Sequence, residues 1–229
     1  PAMGISGDHF DICAIDENTL FFYLLDVSGH GVTAALRSAA ISQMLRPVSG
    51  FIHDIKQVGP ATILERLNRQ LARDNMEVDY LVTIVVGIMD TRSKILKVAN
   101  AGHPAALLAR DDRTPDEITE HIGMPLSIDV DAKYRDNVMQ MQPGCTLVIH
   151  SDGLTECENG KHEHFGSKAL KACIRQNAWH SADALASVIE RSIDAWRGQS
   201  PITDDQSVLI IKYENPTADE TRIYPPVRY

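Results

Sequence analysis

The sequence lacks long apolar runs, an excess of positive charge and paired cysteines, and each lack excludes a class of protein. No apolar run approaches the roughly 18 residues that a membrane-spanning helix needs. The formal net charge of -9 argues against a nucleic-acid partner, because such binding depends on Lys and Arg side chains that neutralise phosphates. The four cysteines form no C-x-x-C pair, so we expect reduced thiols and an intracellular, cytoplasmic protein.

Aromatic residues are also scarce, at 6% of the chain, but hydrophobic residues make up 44% of its 229 positions. That content is enough for a sizeable core, in one large domain or two small ones. The pattern favours a single domain over residues 1–213. A polar segment with three prolines follows over residues 214–229, and we expect it to be a tail or a linker.

Hydrophobic periodicity predicts helices at both ends of a group of short strands. Two strands joined by a turn at residues 90–93 indicate a hairpin, which residues 105–109 extend into a meander. Strands joined by short turns, with helices grouped before and after them, predict an α+β sandwich. On helix 32–46 the stripe through Val32, Leu36 and Met44 is the expected core face. Helices are predicted over 32–46, 61–73, 167–176 and 182–196, and strands over 20–25, 81–89, 94–99, 105–109, 137–141, 146–150 and 207–213.

Four acidic positions lie at the ends of apolar strands or in turns near them. Asp26 ends the run at residues 20–25, Asp8 follows a glycine near the start, Asp152 follows the run at 147–149, and Asp204 precedes the run at 208–211. An aspartate at a strand end is held rigidly, and Mg²⁺ and Mn²⁺ prefer carboxylate oxygens. Each aspartate alone is more often a turn residue, and spacing does not show that the four converge. Asp205 is an equal candidate to Asp204 at the fourth position.

The chain resembles the SpoIIE/RsbU-like branch of the metal-dependent type-2C (PPM) protein phosphatases. The order and separation of five motifs fit that family from near residue 1 to near residue 213. The motifs lie at residues 6–11 (SGDHFD), 26–31 (DVSGHG), 100–104 (NAGHP), 151–156 (SDGLTE) and 204–207 (DDQS). In the first motif Ser6 and His9 stand where the family usually has glycine and an aromatic residue.

The resemblance implies an α/β/β/α sandwich of two mostly antiparallel sheets flanked by helices. It implies that Asp8, Asp26, Asp152 and Asp204 hold two Mn²⁺ or Mg²⁺ ions, with Asp26 bridging them and the backbone carbonyl of Val27 contributing. It also implies a strand ahead of the first motif that this sequence does not contain.

The resemblance further implies a serine/threonine protein phosphatase that uses a metal-activated water. Its implied substrate is a phosphorylated regulatory protein of the anti-anti-sigma type in a bacterial partner-switching circuit. Its implied input is an upstream sensor or receiver domain, and a homodimer stays an open alternative. Another alternative from a different class is a catalytically inactive phosphatase fold that acts by binding proteins.

Three weaker patterns compete for the same residues. The segment 29–34 (GHGVTA) matches the glycine spacing of a dinucleotide-binding turn, which requires a parallel βαβ unit. Cys157 with His162 and His164 contains zinc-binding residue types, but their spacing fits no standard finger and a solvated loop is favoured. His30 and His103 lie in glycine turns, where a histidine bonded to nearby backbone is favoured over a substrate contact.

Overall fold

The structure is a computed structural model that describes residues 5–29, 31–46, 54–55, 57–73, 80–110 and 114–214. Its helices and strands alternate in blocks: two strands, two helices, seven strands, three helices and a last strand. The helices are α1 (Val32–Leu45), α2 (Pro60–Arg73), α3 (Asp152–Thr155), α4 (Gly166–Asn177) and α5 (Ala182–Arg197). The strands are β1 (His9–Ala14), β2 (Thr19–Val27), β3 (Val82–Asp90), β4 (Ile95–Ala101), β5 (Leu107–Ala109), β6 (Asp116–Glu117), β7 (Ile122–Gly123), β8 (Asn137–Gln140), β9 (Thr146–His150) and β10 (Val208–Lys212).

The described strands form two sheets. The first has the order β1-β2-β3-β4-β7, with β8 also paired to β4, and the second has the order β10-β9-β5-β6. All of these pairings are antiparallel except that of β4 with β7. The longest pairing joins β2 to β3 and places Asp26 directly opposite Thr83.

Three apolar cores divide the fold into four layers. The first core lies between helices α1 and α2 and the first sheet, and contains Phe21, Ile41 and Leu67. The second fills the space between the sheets, and the third lies between the second sheet and helices α4 and α5. Residues of β2 alternate between the first two cores, as the period of a strand requires. The predicted α/β/β/α sandwich is therefore confirmed.

The four predicted helices and most of the predicted strands occur close to their expected bounds. Ser181 is the N-cap of α5, a position at which serine is favoured. Its side chain accepts a hydrogen bond from the Ala184 amide at 3.3 Å. The sequence patterns did not predict β1, β6, β7 or α3, which are short or carry polar residues. Of the predicted tail over 214–229, only Glu214 lies within the described residues.

The predicted meander is wrong at its third strand. Residues 107–109 do not continue the first sheet but pair with β9 and β6 in the second. The chain leaves β4 at Gly102, whose φ of +70° is a conformation that favours glycine. Because that turn redirects the backbone, the next strand crosses to the opposite sheet, and alternation alone cannot show which sheet a strand joins.

The predicted core face of α1 is wrong at Val32 and Leu36, although Met44 packs against the first core as expected. Val32 and Leu36 are 63% and 66% exposed, whereas the buried face carries Ala34, Ser38 and Ile41. The helix approaches the segment ahead of β1 closely, because the Ser38 hydroxyl lies 3.5 Å from the carbonyl oxygen of residue 6. Small side chains permit that approach, so Val32 and Leu36 face outward.

Two composition-based expectations are consistent with the structure. All four cysteines are free thiols. Every helix in the described ranges is too short or too polar to cross a membrane.

Candidate metal centre

The four candidate aspartates occupy the ends of elements from both sheets. Asp26 is the penultimate residue of β2, and Asp8 immediately precedes β1 in the same sheet. Asp152 is the first residue of α3, one residue beyond the end of β9, and Asp204 lies in the loop that leads into β10. Because β1 pairs with β2 and β9 pairs with β10, the four positions fall into two neighbouring pairs.

Two glycines let the backbone segments of the site approach closely. A Cβ atom on Gly7 would lie 2.7 Å from the carbonyl oxygen of Val27, and one on Gly153 would lie 2.1 Å from the carbonyl oxygen of Asp205. Real side chains do not tolerate such distances, so both positions require glycine. The first contact places the Val27 carbonyl beside the Asp8 segment, and the second presses the loop of Asp204 against the start of α3.

Electrostatic coupling shows that the four carboxylates share one environment. The pKa of Asp26 is raised to about 8, mainly by burial and to a smaller extent by the charges of Asp8, Asp152 and Asp204. Burial likewise raises the pKa of Asp8 to about 6, although the hydroxyl of Ser207 opposes the shift. Carboxylates close together in a partly desolvated site cannot all ionise without repulsion. A bound cation relieves that repulsion.

The donor set suits a hard divalent ion. Asp8 is 8% exposed, and its Oδ2 atom is buried with no hydrogen-bond partner. Mg²⁺ is commonly bound by one or two carboxylates and completes its shell with waters. Within the described part of the chain, no three histidine, cysteine, aspartate or glutamate side chains lie together as a group that could hold a metal ion. By their chemistry the carboxylates suit a hard divalent ion whose shell is completed by waters, and they fit a zinc cage poorly.

The adjacent residues Asp204 and Asp205 have different surroundings. Asp204 is exposed and acts on the pKa of Asp26 through its charge. Asp205 is 7% exposed, and its Oδ2 atom accepts hydrogen bonds from the Ser6 hydroxyl and the Gly7 amide, each at 2.8 Å. The structure therefore distinguishes the two carboxylates by their exposure and hydrogen bonds, which the sequence alone could not do.

A cavity of about 220 Å³ adjoins Asp204. Its lining includes Glu156, Glu158 and His164, so it is largely polar. Glu158 accepts a hydrogen bond from His162 at 2.8 Å and lies 3.5 Å from Nε2 of His164, which keeps both histidines in a local polar network. That network favours the solvated-loop interpretation of these histidines over the zinc interpretation.

The NAGHP motif forms a buried turn behind the carboxylates. The Asn100 side chain closes the turn, since its Oδ1 accepts from the His103 amide at 2.8 Å and its Nδ2 donates to the His103 carbonyl at 2.9 Å. The imidazole is 2% exposed and bonds to the Thr83 hydroxyl. His103 is thus a buried structural residue, and the partner Thr83 had no signal in the sequence because it lies 20 positions away. His30 lies outside the described residues.

The dinucleotide-binding alternative does not agree with the fold. The strand before the glycine turn is β2, and the strand that follows α1 and α2 is β3. These two strands pair antiparallel, whereas a dinucleotide-binding βαβ unit needs parallel strands.

Comparison with known proteins gives a family match over most of the chain. The model of the family Stage II sporulation protein E (SpoIIE) matches residues 16–214, a range that includes Asp26, Asp152 and Asp204 and begins after Asp8. Phosphoserine phosphatase RsbU of Bacillus subtilis (strain 168) is 30% identical over 198 residues, which cover 84% of this chain and 55% of that protein. Phosphoserine phosphatase RsbP of the same organism is 26% identical over 156 residues, which cover 66% of this chain and 37% of that protein. The chain thus spans about half or less of these relatives.

Solved structures share the fold. The SiaA-PP2C domain of Pseudomonas aeruginosa superposes with a TM-score of 0.77 at 22% identity, over 93% of this chain and 82% of that one. The PP2C phosphatase domain of SpoIIE from Bacillus subtilis, with a fragment of its regulatory domain, gives a TM-score of 0.75 at 18% identity, over 93% and 59%. The sandwich described above is therefore the PP2C fold.

Proposed function

Because the chain belongs to the SpoIIE family, we propose that it is a metal-dependent protein phosphatase that hydrolyses phosphoserine or phosphothreonine. The observation that carries this proposal is the group of four aspartates at the strand ends, in which burial and then the charges of the other three raise the pKa of Asp26 to about 8. Asp8, Asp26, Asp152 and Asp204 would hold two Mn²⁺ or Mg²⁺ ions, with Asp26 between them and the Val27 carbonyl as a further ligand. When bound, such a pair would supply positive charge for the phosphate and lower the pKa of a water.

The surrounding residues favour water over a protein side chain as the nucleophile. Ser151, the serine next to Asp152, is fully buried. Its hydroxyl donates to the Asp205 carbonyl at 3.2 Å and accepts from the Ser207 amide at 2.9 Å. A hydroxyl held in this way is not free to attack a phosphate. The Ser151 hydroxyl donates to the Asp205 carbonyl and not to His150, whose Nδ1 bonds to the Ser151 carbonyl, so these two side chains form no nucleophile–base pair.

The chain's own residues would orient the substrate around this centre. Asp204 faces the polar cavity of about 220 Å³, which would receive residues that flank the phosphorylated side chain. Glu156 is exposed at the rim. Glu158 has its pKa lowered chiefly by the hydrogen bond from His162, so it carries a negative charge near neutral pH.

The proposed physiological substrate is a phosphorylated regulator of the anti-anti-sigma type in the bacterial cytoplasm. Support comes from the relatives RsbU and RsbP, both named phosphoserine phosphatases. The match covers only 55% of RsbU and 37% of RsbP, which supports an upstream sensor or receiver domain as the source of input. A homodimer remains part of the proposal to be tested by mass measurement in solution.

The direct test is hydrolysis of p-nitrophenyl phosphate and of a phosphoserine peptide, with Mn²⁺, with Mg²⁺ and with chelator. We expect turnover of both substrates with an added ion and none in chelator. The matched control is Asp116→Asn, because Asp116 is an exposed aspartate paired with Arg110 away from the site. Equal rates with and without chelator would contradict the metal mechanism. Binding of the phosphoprotein without any turnover would instead support the inactive protein-binding alternative.

A further inference from the structure

We propose that Asp205 is a positioning residue that holds Asp8 and Asp204 in place for the ions without binding them itself. This inference rests on the proposed function and assigns a role to the one buried carboxylate of the site that the proposed ligand set does not use.

The first observation is the contact between Asp205 and the start of the described chain. Its Oδ2 atom accepts from the Ser6 hydroxyl and from the Gly7 amide, both at 2.8 Å, across 199 and 198 residues of sequence. The Ser6 hydroxyl oxygen in turn accepts from the Asp8 amide at 3.1 Å. Asp205 therefore fixes the backbone of the segment that carries Asp8.

The second observation is the contact between the Asp205 backbone and the other two segments of the site. Its carbonyl oxygen accepts from the Ser151 hydroxyl at 3.2 Å and lies over Gly153, where a side chain would collide with it. Its amide donates to Oδ1 of Asp204 at 2.8 Å. One residue thus connects the segments of Asp8, Asp152 and Asp204, which come from separate parts of the sequence.

The geometry distinguishes positioning from direct binding of an ion. Oδ2 of Asp205 accepts both hydrogen bonds, so the lone pairs of that oxygen are directed at protein donors rather than at an ion. Neutral asparagine offers a side-chain oxygen that can accept the same two bonds, whereas alanine removes both. A positioning role therefore tolerates Asp205→Asn, while a charged ligand does not.

The test measures Mn²⁺ affinity by titration calorimetry for the wild type and for Asp205→Ala, Asp205→Asn and Ser6→Ala. Loss of a residue that orients ligands typically weakens metal binding by roughly 10–100-fold, and we expect that loss for Asp205→Ala. Ser6→Ala removes only one of the two donors and should give a smaller loss. Asp205→Asn should lose no more than about threefold, because the asparagine oxygen can still accept both hydrogen bonds, although each is weaker without the charge. Peptide turnover at saturating Mn²⁺ should recover in all three variants.

The matched control is Asp136→Ala. Asp136 also links distant segments through a hydrogen bond to the backbone, since its Oδ1 accepts from the Ala61 amide at 2.7 Å across 75 residues. This variant should lower the melting temperature and leave Mn²⁺ affinity unchanged, which separates positioning at the site from general stability.

Each result decides the inference. Wild-type Mn²⁺ affinity in Asp205→Ala would overturn it, and so would an Asp205→Asn variant as weak as Asp205→Ala, because that outcome makes the carboxylate a direct ligand. If Asp205→Ala does not fold, Asp205→Asn and Ser6→Ala still carry the comparison. Lack of phosphatase activity in a wild type that binds Mn²⁺ would contradict the proposed function alone, whereas a wild type that binds no Mn²⁺ would overturn both.

Discussion

Thr83 lies directly opposite Asp26 in the β2–β3 pair, and its hydroxyl oxygen is 2.8 Å from Nδ1 of His103. Opposite residues of antiparallel strands project their side chains on the same face of the sheet. The bond therefore ties the buried turn at residues 100–104 to β3, at the position that pairs with the proposed bridging aspartate on β2.

The buried imidazole of His103 predicts a loss of stability in acid. Burial, with a smaller contribution from His150, lowers the pKa of His103 to about 3. An unfolded histidine titrates near 6.5, so between about pH 6.5 and pH 3 the unfolded chain binds a proton here that the folded chain does not. Stability from this group is complete above pH 6.5 and is lost as the pH falls through that window.

We expect His103→Gln to flatten this dependence. Glutamine can still form a hydrogen bond to the Thr83 hydroxyl, but its side chain does not ionise in this pH range. Between pH 7 and pH 5.5 the wild type should lose roughly 1–2 kcal/mol more unfolding free energy than the variant. Urea unfolding at a series of pH values measures the two curves, and parallel curves would show that His103 is protonated in the folded protein.

Asp26→Asn should abolish metal-dependent turnover but stabilise the protein in chelator. Burial and the charges of Asp8, Asp152 and Asp204 all oppose ionisation of Asp26, so a neutral amide of similar shape removes a repulsive charge. At pH 8.5 in chelator we expect a gain on the order of 1–3 kcal/mol in unfolding free energy. Added Mn²⁺ should stabilise the wild type and leave the variant nearly unchanged.

Asp116→Asn serves as the control for this change. It removes a charge from an exposed ion pair with Arg110, an interaction worth little, so it should leave both unfolding free energy and turnover close to wild type. If Asp26→Asn were destabilising in chelator at pH 8.5, the carboxylate would be engaged in favourable contacts rather than in repulsion.

The same carboxylates predict how metal-free stability changes above neutral pH. The pKa values of Asp8 and Asp26 are raised to about 6 and about 8, so between about pH 4 and pH 8 the folded chain binds protons that the unfolded chain has released. Stability from these groups is complete below pH 4 and is lost as the pH rises through 8. Above pH 6.5 the opposite effect of His103 has ended, so the melting temperature in chelator should fall from pH 6.5 to pH 8.5.

An added divalent ion should reverse that trend. Metal binding needs ionised carboxylates, so the rise in melting temperature caused by Mn²⁺ should increase with pH over the same range. Scanning calorimetry with and without the ion measures the difference. A metal-induced rise that does not depend on pH would mean that Asp8 and Asp26 are already ionised in the folded protein.

The sequence predicted the long, strongly periodic elements because their burial is visible locally. Helices α2 and α5 have a single apolar face each, and strands β2, β3 and β9 are nearly continuous apolar runs. The sheet in which β5 pairs was not predictable, since it depends on a turn at Gly102 and on β9, which lies about 40 residues further along the chain.

The candidate site shows the same division between local and distant information. Motifs identified Asp8, Asp26, Asp152 and Asp204 through resemblance, and their role as ligands stays a prediction. The distinction between Asp204 and Asp205 required contacts that span nearly the whole chain, because only the fold brings residues 6 and 7 beside residue 205.

Helix α1 shows why an apolar stripe does not always mark the core. The first half of its buried face is lined by small residues that let it lie close to the segment of Asp8, since a Cβ atom on Gly7 would be 3.4 Å from that of Ala34. Val32 and Leu36 are on the outer face, whereas Ile41 further along the helix is fully buried. Size and hydrophobicity therefore predicted the wrong face in the first half of the helix, where the close approach of two backbones decided it.

The orientation of α1 gives a direct stability prediction. Leu36 is 66% exposed, so Leu36→Gln should change the unfolding free energy by less than about 0.5 kcal/mol, as substitutions away from the core usually do. Ile41 on the same helix is fully buried, and Ile41→Ala should cost roughly 2–4 kcal/mol through lost burial and the cavity it leaves. Both variants change one apolar residue in one helix, so helix propensity has little part in the difference. Urea unfolding at pH 7.5 with saturating Mn²⁺ compares them, and a Leu36→Gln variant as unstable as Ile41→Ala would show that this face is buried after all.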